Sequence, residues 1–188
     1  MIYGDRTRLR RDERSDIPRF LEWLNDPEAV QYLGVLNLPM SMANEEEWFE
    51  HMLGLPRQEQ PFAIEIREPS PSGESWRLIG NCGFMDFNQV VHSAEVGIFI
   101  GDKSYWNKGY GTEVMRLLLQ VGFGTLNLNR IFLRVDQANL GGIHAYEKAG
   151  FVHEGRMREA AFRNGQYSDM LLMSVLRSEW TLKDRVGL

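Results

Sequence analysis

Glu95-Val96-Gly97-Ile98-Phe99-Ile100-Gly101-Asp102-Lys103-Ser104-Tyr105-Trp106-Asn107-Lys108-Gly109-Tyr110-Gly111-Thr112 is an apolar run, a glycine-bearing loop and the start of an amphipathic stretch, in that order. Ser93 to Ile100 reads as a strand. Alternation puts Glu95, Gly97 and Phe99 on one face and Val96, Ile98 and Ile100 on the other. From Gly111 to about Leu126, the residues Val114, Leu117, Leu118 and Val121 recur at helical spacing. A strand that leads through glycines into a helix can bind an anion. The helix start presents free backbone N–H groups and the positive end of its dipole. Gly109 and Gly111 allow a diphosphate to approach the main chain closely. Lys108 can add charge, although its side chain could equally point to solvent. Gly-x-Gly alone is as compatible with a plain strand–helix connection. Two other phosphate motifs are excluded. No Gly-Lys-Ser/Thr ends the loop, and Val114 stands where the dinucleotide fingerprint needs its third glycine.

Working outward toward the C-terminus, Ile131 to Val135 reads as a strand and Leu140 to Ala149 as a helix closed by Gly150. Strand, helix and strand of these lengths form a crossover unit, so the strands at 93–100 and 131–135 should be parallel. Val152 to Phe162 and Gln166 to Leu176 are two more strands, with Asn164-Gly165 as a hairpin turn between them.

Toward the N-terminus, Trp76 to Phe87 reads as a strand with Gly80 and Gly83 as bend points. It follows the loop Glu68 to Glu74 and the strand Pro61 to Arg67. A helix is expected from near Asn44, with Glu45, Glu46 and Glu47 in its first turn. Three acids there suit the helix dipole, and could also attract a cationic substrate. An earlier helix, capped by Ser15 or Asp16, carries Ile17, Phe20, Leu21 and Leu24 on one face, tolerates Pro18 in its first turn and ends by Asp26-Pro27. Thr7 to Arg10 is a short opening strand. Trp23, Tyr32, Trp48 and Phe49 could line an acceptor pocket or simply be core.

The chain of 188 residues, 43% hydrophobic and 25% charged, fits one soluble domain. A net charge of -5 argues mildly against a nucleic-acid binder. The single cysteine, Cys82, precludes an internal disulfide and suits a reducing compartment. The charged start lacks a signal-peptide core, and no apolar run approaches the roughly 20 residues that span a bilayer. A cytoplasmic location is expected. His51, His92, His144 and His153 have no neighbours at metal-ligand spacing, so no metal is expected.

Trp106-Asn107-Lys108-Gly109-Tyr110-Gly111 resembles the pyrophosphate loop of the GNAT superfamily of acyl-CoA-dependent N-acetyltransferases, whose general pattern is Gln/Arg-x-x-Gly-x-Gly/Ala. Trp106 departs from the first position, as in the subgroup that acetylates ribosomal-protein N-termini or spermidine. A side-chain hydrogen bond from that position is put in doubt; the main-chain contacts from Asn107 to Thr112 are not. Asn139 through Phe151 resembles the second signature of the family, and Arg163 through Asp169 the closing hairpin of the subgroup. The resemblance spans nearly the whole chain and is vaguest from Gln31 to Gln60. It implies an α/β fold with a mixed, mostly antiparallel sheet of about seven strands, helices on both faces and one central parallel strand pair.

It further implies acetyl transfer from acetyl-CoA to a primary amine by direct attack, the acceptor being a small amine or a protein N-terminus. Tyr146 is then the donor to the departing thiolate, or else a core tyrosine beside Ile143 and Phe151. Glu95, an acid at the head of an otherwise apolar strand, is the candidate base, direct or through water, or else one half of an ion pair or an exposed strand end. Ile98, Phe99 and Ile100 would meet the pantetheine arm through their backbone. Trp106, Asn107, Lys108, Gly109, Tyr110, Gly111 and Thr112 would hold the diphosphate. Asn139 would contact cofactor or water, or cap the helix that follows, or both. Cys82 has no evident activating partner and reads as a buried small hydrophobe. A non-catalytic acyl-CoA-binding module is the competing reading. The fold would leave sheet edges on which a second copy could pair.

Overall fold

The computed structural model describes residues 1–34, 38–70 and 73–180. Its strands are β1 (Ile2–Tyr3), β2 (Thr7–Arg11), β3 (Phe62–Ser70), β4 (Gly73–Asn88), β5 (Ser93–Ile100), β6 (Arg130–Asp136), β7 (Val152–Arg163) and β8 (Gln166–Leu176). Its helices are α1 (Ile17–Leu24), α2 (Met42–Leu53), α3 (Tyr110–Gln120) and α4 (Leu140–Ala149). The eight strands form one mixed sheet in the order β1-β2-β3-β4-β5-β6-β8-β7. The strand beyond the seven expected is β1, which at two residues is too short to show any periodicity. β5 and β6 run parallel, with Ser93 opposite Arg130. The pairs β1–β2, β2–β3, β3–β4, β6–β8 and β7–β8 are antiparallel. No described helix is long and apolar enough to cross a membrane.

The chain divides into two compact units, Met1–Gly83 with Ile98–Tyr110, and Phe84–Gly97 with Gly111–Leu188. In the first, a 3-10 turn at Arg14–Asp16 leads into α1. α1 buries Ile17, Phe20 and Trp23. Phe20 and Trp23 pack with Ala29, Val30 and Phe99, and Ile17 packs with Phe49 and Met52 of α2. Trp23 and Phe49 are therefore core rather than free pocket walls, while Trp48 is exposed and Tyr32 half-buried.

α2 starts two residues before the Asn44 expected from sequence, because Ser41 is its cap. Ser41 Oγ accepts the Asn44 N–H at 3.2 Å, and Asn44 Oδ1 accepts the Ser41 N–H at 3.2 Å. This reciprocal pair satisfies two otherwise orphaned donors. Only Glu45 then falls in the first turn, where it is buried and burial raises its carboxyl pKa. Glu46 and Glu47 are exposed, further along the helix.

The loop expected at Glu68 to Glu74 is shorter than the composition suggests. Glu68 to Ser70 belong to β3, Gly73 and Glu74 to β4, and Ser70 lies opposite Gly73. Residues 71 and 72 lie outside the described residues. Glu68 extends the ladder by accepting from Arg77 Nε at 2.7 Å and from the Tyr105 hydroxyl at 2.5 Å. Such cross-strand charge pairs favour strand over turn.

The face of β2 that carries Arg8 and Arg10 is charged. Arg10 bonds Asp16 through both terminal nitrogens, at 2.6 and 2.8 Å, and Glu65 at 3.0 Å, while Arg8 bonds Glu65 at 2.5 Å. Asp12, just past the strand, is 6% exposed, and Asn81 approaches its carboxylate without a well-formed hydrogen bond to either oxygen. Burial first, then Asp16 and Glu45, push its carboxyl up to about 7; Asn81 and Arg10 pull the other way without cancelling this. An acid whose pKa is higher folded than unfolded holds its proton in the native state. Its contribution to stability therefore falls as pH rises from about 4, the unfolded value, through about 7. Asp12→Asn removes the titration. Thermal unfolding should show a variant whose advantage over the parent grows between pH 5 and pH 8. An advantage independent of pH would mean that Asp12 is already ionised in the fold.

In the second unit, α3 buries Val114, Met115, Leu117, Leu118 and Leu119, β6 buries Ile131, Leu133 and Val135, and β8 buries Met173 and Val175. The expected helix to Leu126 continues past Gln120, but as a π-helical turn at Val121–Thr125. Gly122 explains the close packing there, since a Cβ would lie 2.4 Å from Ile131 Cδ1. Arg177 Nη2 takes the Phe123 carbonyl of that turn at 2.8 Å.

Candidate active site

In the first unit, β5 ends at Ile100 and the chain turns through a 3-10 segment, Lys103–Tyr105, before α3. Asp102 caps this turn by accepting the Ser104 N–H at 3.1 Å, and is held by Arg19 Nη2 at 2.9 Å. Lys103 is tied to Asp26 and Glu28 at 2.8 and 2.7 Å. Burial and the Glu68 hydrogen bond push the Tyr105 hydroxyl up to about 12, so it remains a donor. The loop is therefore anchored at several points before it reaches its glycines.

Trp106 donates its indole N–H to the Ile100 carbonyl at 2.7 Å. A side chain at the first motif position thus closes the loop onto the strand end. It also occupies one lone pair of the Ile100 oxygen, which the sequence reading leaves for a pantetheine amide. Among the described residues, no side chain bonds the backbone of Ile98, further back in β5.

Beyond Trp106 the backbone reverses hand twice, with Asn107 at φ 57° and Gly109 at φ 84°. Asn107, Lys108 and Gly109 are exposed, and their backbone N–H groups donate to no other described residue. Successive N–H groups in such a turn form a concave anion nest. The helix start at Tyr110 adds the positive end of its dipole. Lys108 extends over Tyr105. Its ammonium lies 5.5 Å from the centre of the Tyr105 ring.

The second unit holds the remaining candidates. Asn139 caps α4, its Oδ1 accepting the Gly142 N–H at 2.9 Å. At the other end, Gly150 adopts φ 110° and closes the helix onto the Tyr146 and Glu147 carbonyls. Tyr146 sits in the last turn, half-buried, its ring edge-on to Phe151 at 6.2 Å. Its hydroxyl hydrogen-bonds no described residue, and burial alone pushes it up to about 12. A phenol in that state is a proton donor throughout the neutral range. Thr112 of α3 gives its hydroxyl to the Ala145 carbonyl at 3.3 Å, so its side chain is spent on α4 and only its backbone can serve an anion.

Glu95 is 6% exposed and accepts from Arg134 Nε at 2.9 Å and Nη2 at 2.6 Å. Of the two readings open from sequence, the ion pair is present. The fork geometry leaves a lone pair on each oxygen for a water or substrate proton. Arg134 escaped sequence reasoning, although an arginine inside the apolar run Ile131 to Val135 is the counterpart of Glu95 at the head of the apolar run Val96 to Ile100. Cys82 is buried, and burial pushes its thiol well up. A thiol so placed is a poor nucleophile.

A family model described as Acetyltransferase (GNAT) domain matches residues 6–152. A spermidine N(1)-acetyltransferase of Vibrio cholerae is 30% identical over 172 residues, covering 92% of this chain and 94% of that one. An uncharacterized N-acetyltransferase, p20, of Bacillus licheniformis is 29% identical over 180 residues, covering 95% and 97%. Among solved structures, spermidine N-acetyltransferase from Vibrio cholerae in complex with CoA and spermine aligns with a TM-score of 0.81 at 28% identity, covering 94% of this chain and 99% of that one.

Proposed function

The chain belongs to the GNAT family of acetyltransferases and transfers an acetyl group from acetyl-CoA to an amine, and from that premise we propose that its acceptor is a small polyamine. The observation that carries the cofactor side is the exposed nest at Asn107, Lys108 and Gly109, which offers unspent N–H groups at the start of a helix. The polyamine acceptor is supported by the spermidine acetyltransferase activity of the Vibrio cholerae relative and by the spermine in its complex.

In the proposed reaction, the diphosphate of acetyl-CoA rests on the backbone from Asn107 to Thr112. The pantetheine arm pairs with backbone groups of β5, chiefly those of Ile98. An unprotonated amine attacks the thioester carbonyl, forming the C–N bond. The tetrahedral oxyanion collapses and the C–S bond breaks. Tyr146 gives its hydroxyl proton, or a hydrogen bond, to the departing thiolate. The proton lost by the amine passes through water to Glu95, on a lone pair that Arg134 leaves open. Asn139 fixes the start of α4 and so the helix that carries Tyr146.

Thiol release from acetyl-CoA, measured over spermidine, spermine, an aminoglycoside, free amino acids and a ribosomal-protein N-terminal peptide, tests the acceptor. Turnover fastest with the polyamines is expected. Turnover only with the peptide would transfer the reading to protein N-termini. Binding of acetyl-CoA without thiol release on any amine would leave a non-catalytic acyl-CoA-binding module.

A further inference from the structure

Arg134 reaches Glu95 from the neighbouring strand of the second unit. The parallel ladder sets Glu95 of β5 opposite Phe132 of β6, and Arg134 lies two residues further along β6, on the face that Phe132 shares. From there its guanidinium meets both carboxylate oxygens, Nε giving to Oε1 at 2.9 Å and Nη2 to Oε2 at 2.6 Å. Nη2 also lies 3.6 Å from Asp86 of β4, which is exposed. Among the described residues these two carboxylates are the charged partners of Arg134, and Arg134 is the charged partner of Glu95. The two ends of the pair differ in burial, with the Glu95 side chain 8% exposed and that of Arg134 43%. The hydrogen bonds to Glu95, then its charge, hold the guanidinium proton more tightly than usual. Gly97 follows Glu95 on the same face of β5. A Cβ placed on Gly97 would meet only Met85 Cε, at 3.0 Å, so the main chain beside the carboxylate has room for a water or an amine hydrogen.

We propose that Arg134 is the positioning residue of the base, fixing the plane of the Glu95 carboxylate and supplying the countercharge that a buried carboxylate needs to accept a proton. The inference rests on the reading of Glu95 as the base. A carboxylate taken out of water favours its protonated form unless a cation faces it, and a protonated acid cannot take the amine proton. Any cation meets that need, but the fork does more. Two parallel N–H bonds hold the carboxylate in one plane, which a lone ammonium cannot do. Each oxygen keeps a lone pair for the reaction. The proton that leaves the amine nitrogen forms an O–H bond on Glu95, directly or through one water, and passes to solvent before the next turnover. Arg134 gives up no proton at any step, so its effect on the rate comes through Glu95. Asp86, exposed and farther away, competes little for the guanidinium.

The test is the pH dependence of kcat at saturating amine, with the fastest amine of the panel above, for the full chain, Arg134→Gln, Arg134→Lys, Glu95→Gln and the double variant Glu95→Gln with Arg134→Gln. Arg134→Gln should carry the acid limb up by about one pH unit, the shift expected when an opposite charge at this distance is removed. Its affinity for acetyl-CoA should stay within about twofold of the parent. Arg134→Lys should return the limb toward that of the parent while kcat remains below it, since the charge is kept and the fork is lost. On top of Glu95→Gln, Arg134→Gln should cost no further rate. Truncating one half of a buried pair can unfold a chain. The lysine variant keeps the charge and the double variant leaves no buried carboxylate unpaired, so these two carry the test if Arg134→Gln does not fold. An acid limb that stays in place in Arg134→Gln, a kcat unchanged in Arg134→Lys, or a further loss in the double variant would overturn the inference. A kcat and acid limb unchanged in Glu95→Gln itself would overturn the reading of Glu95 as the base, and this inference with it, while leaving acetyl transfer intact.

Discussion

Tyr146→Phe lowers kcat by about a hundredfold, the usual worth of a positioned acid, while the affinity for acetyl-CoA stays within about twofold of the parent. The substitution removes one oxygen from a ring whose packing on Phe151 is unchanged. No described residue loses a hydrogen bond, because the hydroxyl makes none with them. Its effect on folding should therefore be small. A thiolate leaving without a donor is the costly step. Since burial holds the hydroxyl at about 12, the deficit should be the same from pH 6 to pH 9. Steady-state kinetics with saturating amine measure this directly. A variant turning over within twofold of the parent removes Tyr146 from the chemistry and leaves it a core tyrosine.

Gly80→Ala is the substitution with the largest expected cost to folding. A Cβ there would lie 1.9 Å from the Phe99 carbonyl oxygen and 2.9 Å from Ile100 Cα, both main-chain atoms of β5. No rotamer change relieves such a clash; the strand itself must move. The β3–β4 register slips at this point, with Ile64 opposite Gly80 but Glu65 opposite Leu78. The slip leaves Ile79 unpaired as a bulge, and beside it the main chain of β5 comes too close to Gly80 to admit a side chain. A loss of at least about 3 kcal/mol is expected, which for a chain of this size lowers Tm by about 10 °C. Gly83→Ala is the matched control, since its Cβ would come no closer than 3.2 Å, to Pro61 Cα. Equal melting temperatures for the two variants would show that β5 has room to shift.

The order of elements from β5 to β8 is legible because each boundary carries a residue with one dominant backbone use. Gly150 at φ 110° ends α4, and Asn164 and Gly165 at φ 50° and 78° turn the hairpin. Helical spacing in α3 and the parallel pairing of β5 with β6 follow from pattern and length alone. Other features left no local trace. Ser41 and Asn44 are both cap-forming residues, and only their mutual hydrogen bonds decide which one starts α2. The π turn at Val121–Thr125 depends on how closely Gly122 approaches Ile131. The loop is recognisable through its glycines, whereas Arg134 reaches Glu95 only through the pairing of β5 with β6. The indole bond of Trp106 to Ile100 likewise needs the turn at Lys103–Tyr105 to be folded first.

Calorimetric titration with acetyl-CoA, alongside desulfo-CoA and NAD, tests the cofactor on which every step depends. The account predicts saturable binding of both CoA compounds and no heat from NAD, whose fingerprint fails at Val114. Absence of binding by both CoA compounds would contradict it, because the nest at Asn107 to Gly109 would then hold no cofactor phosphate.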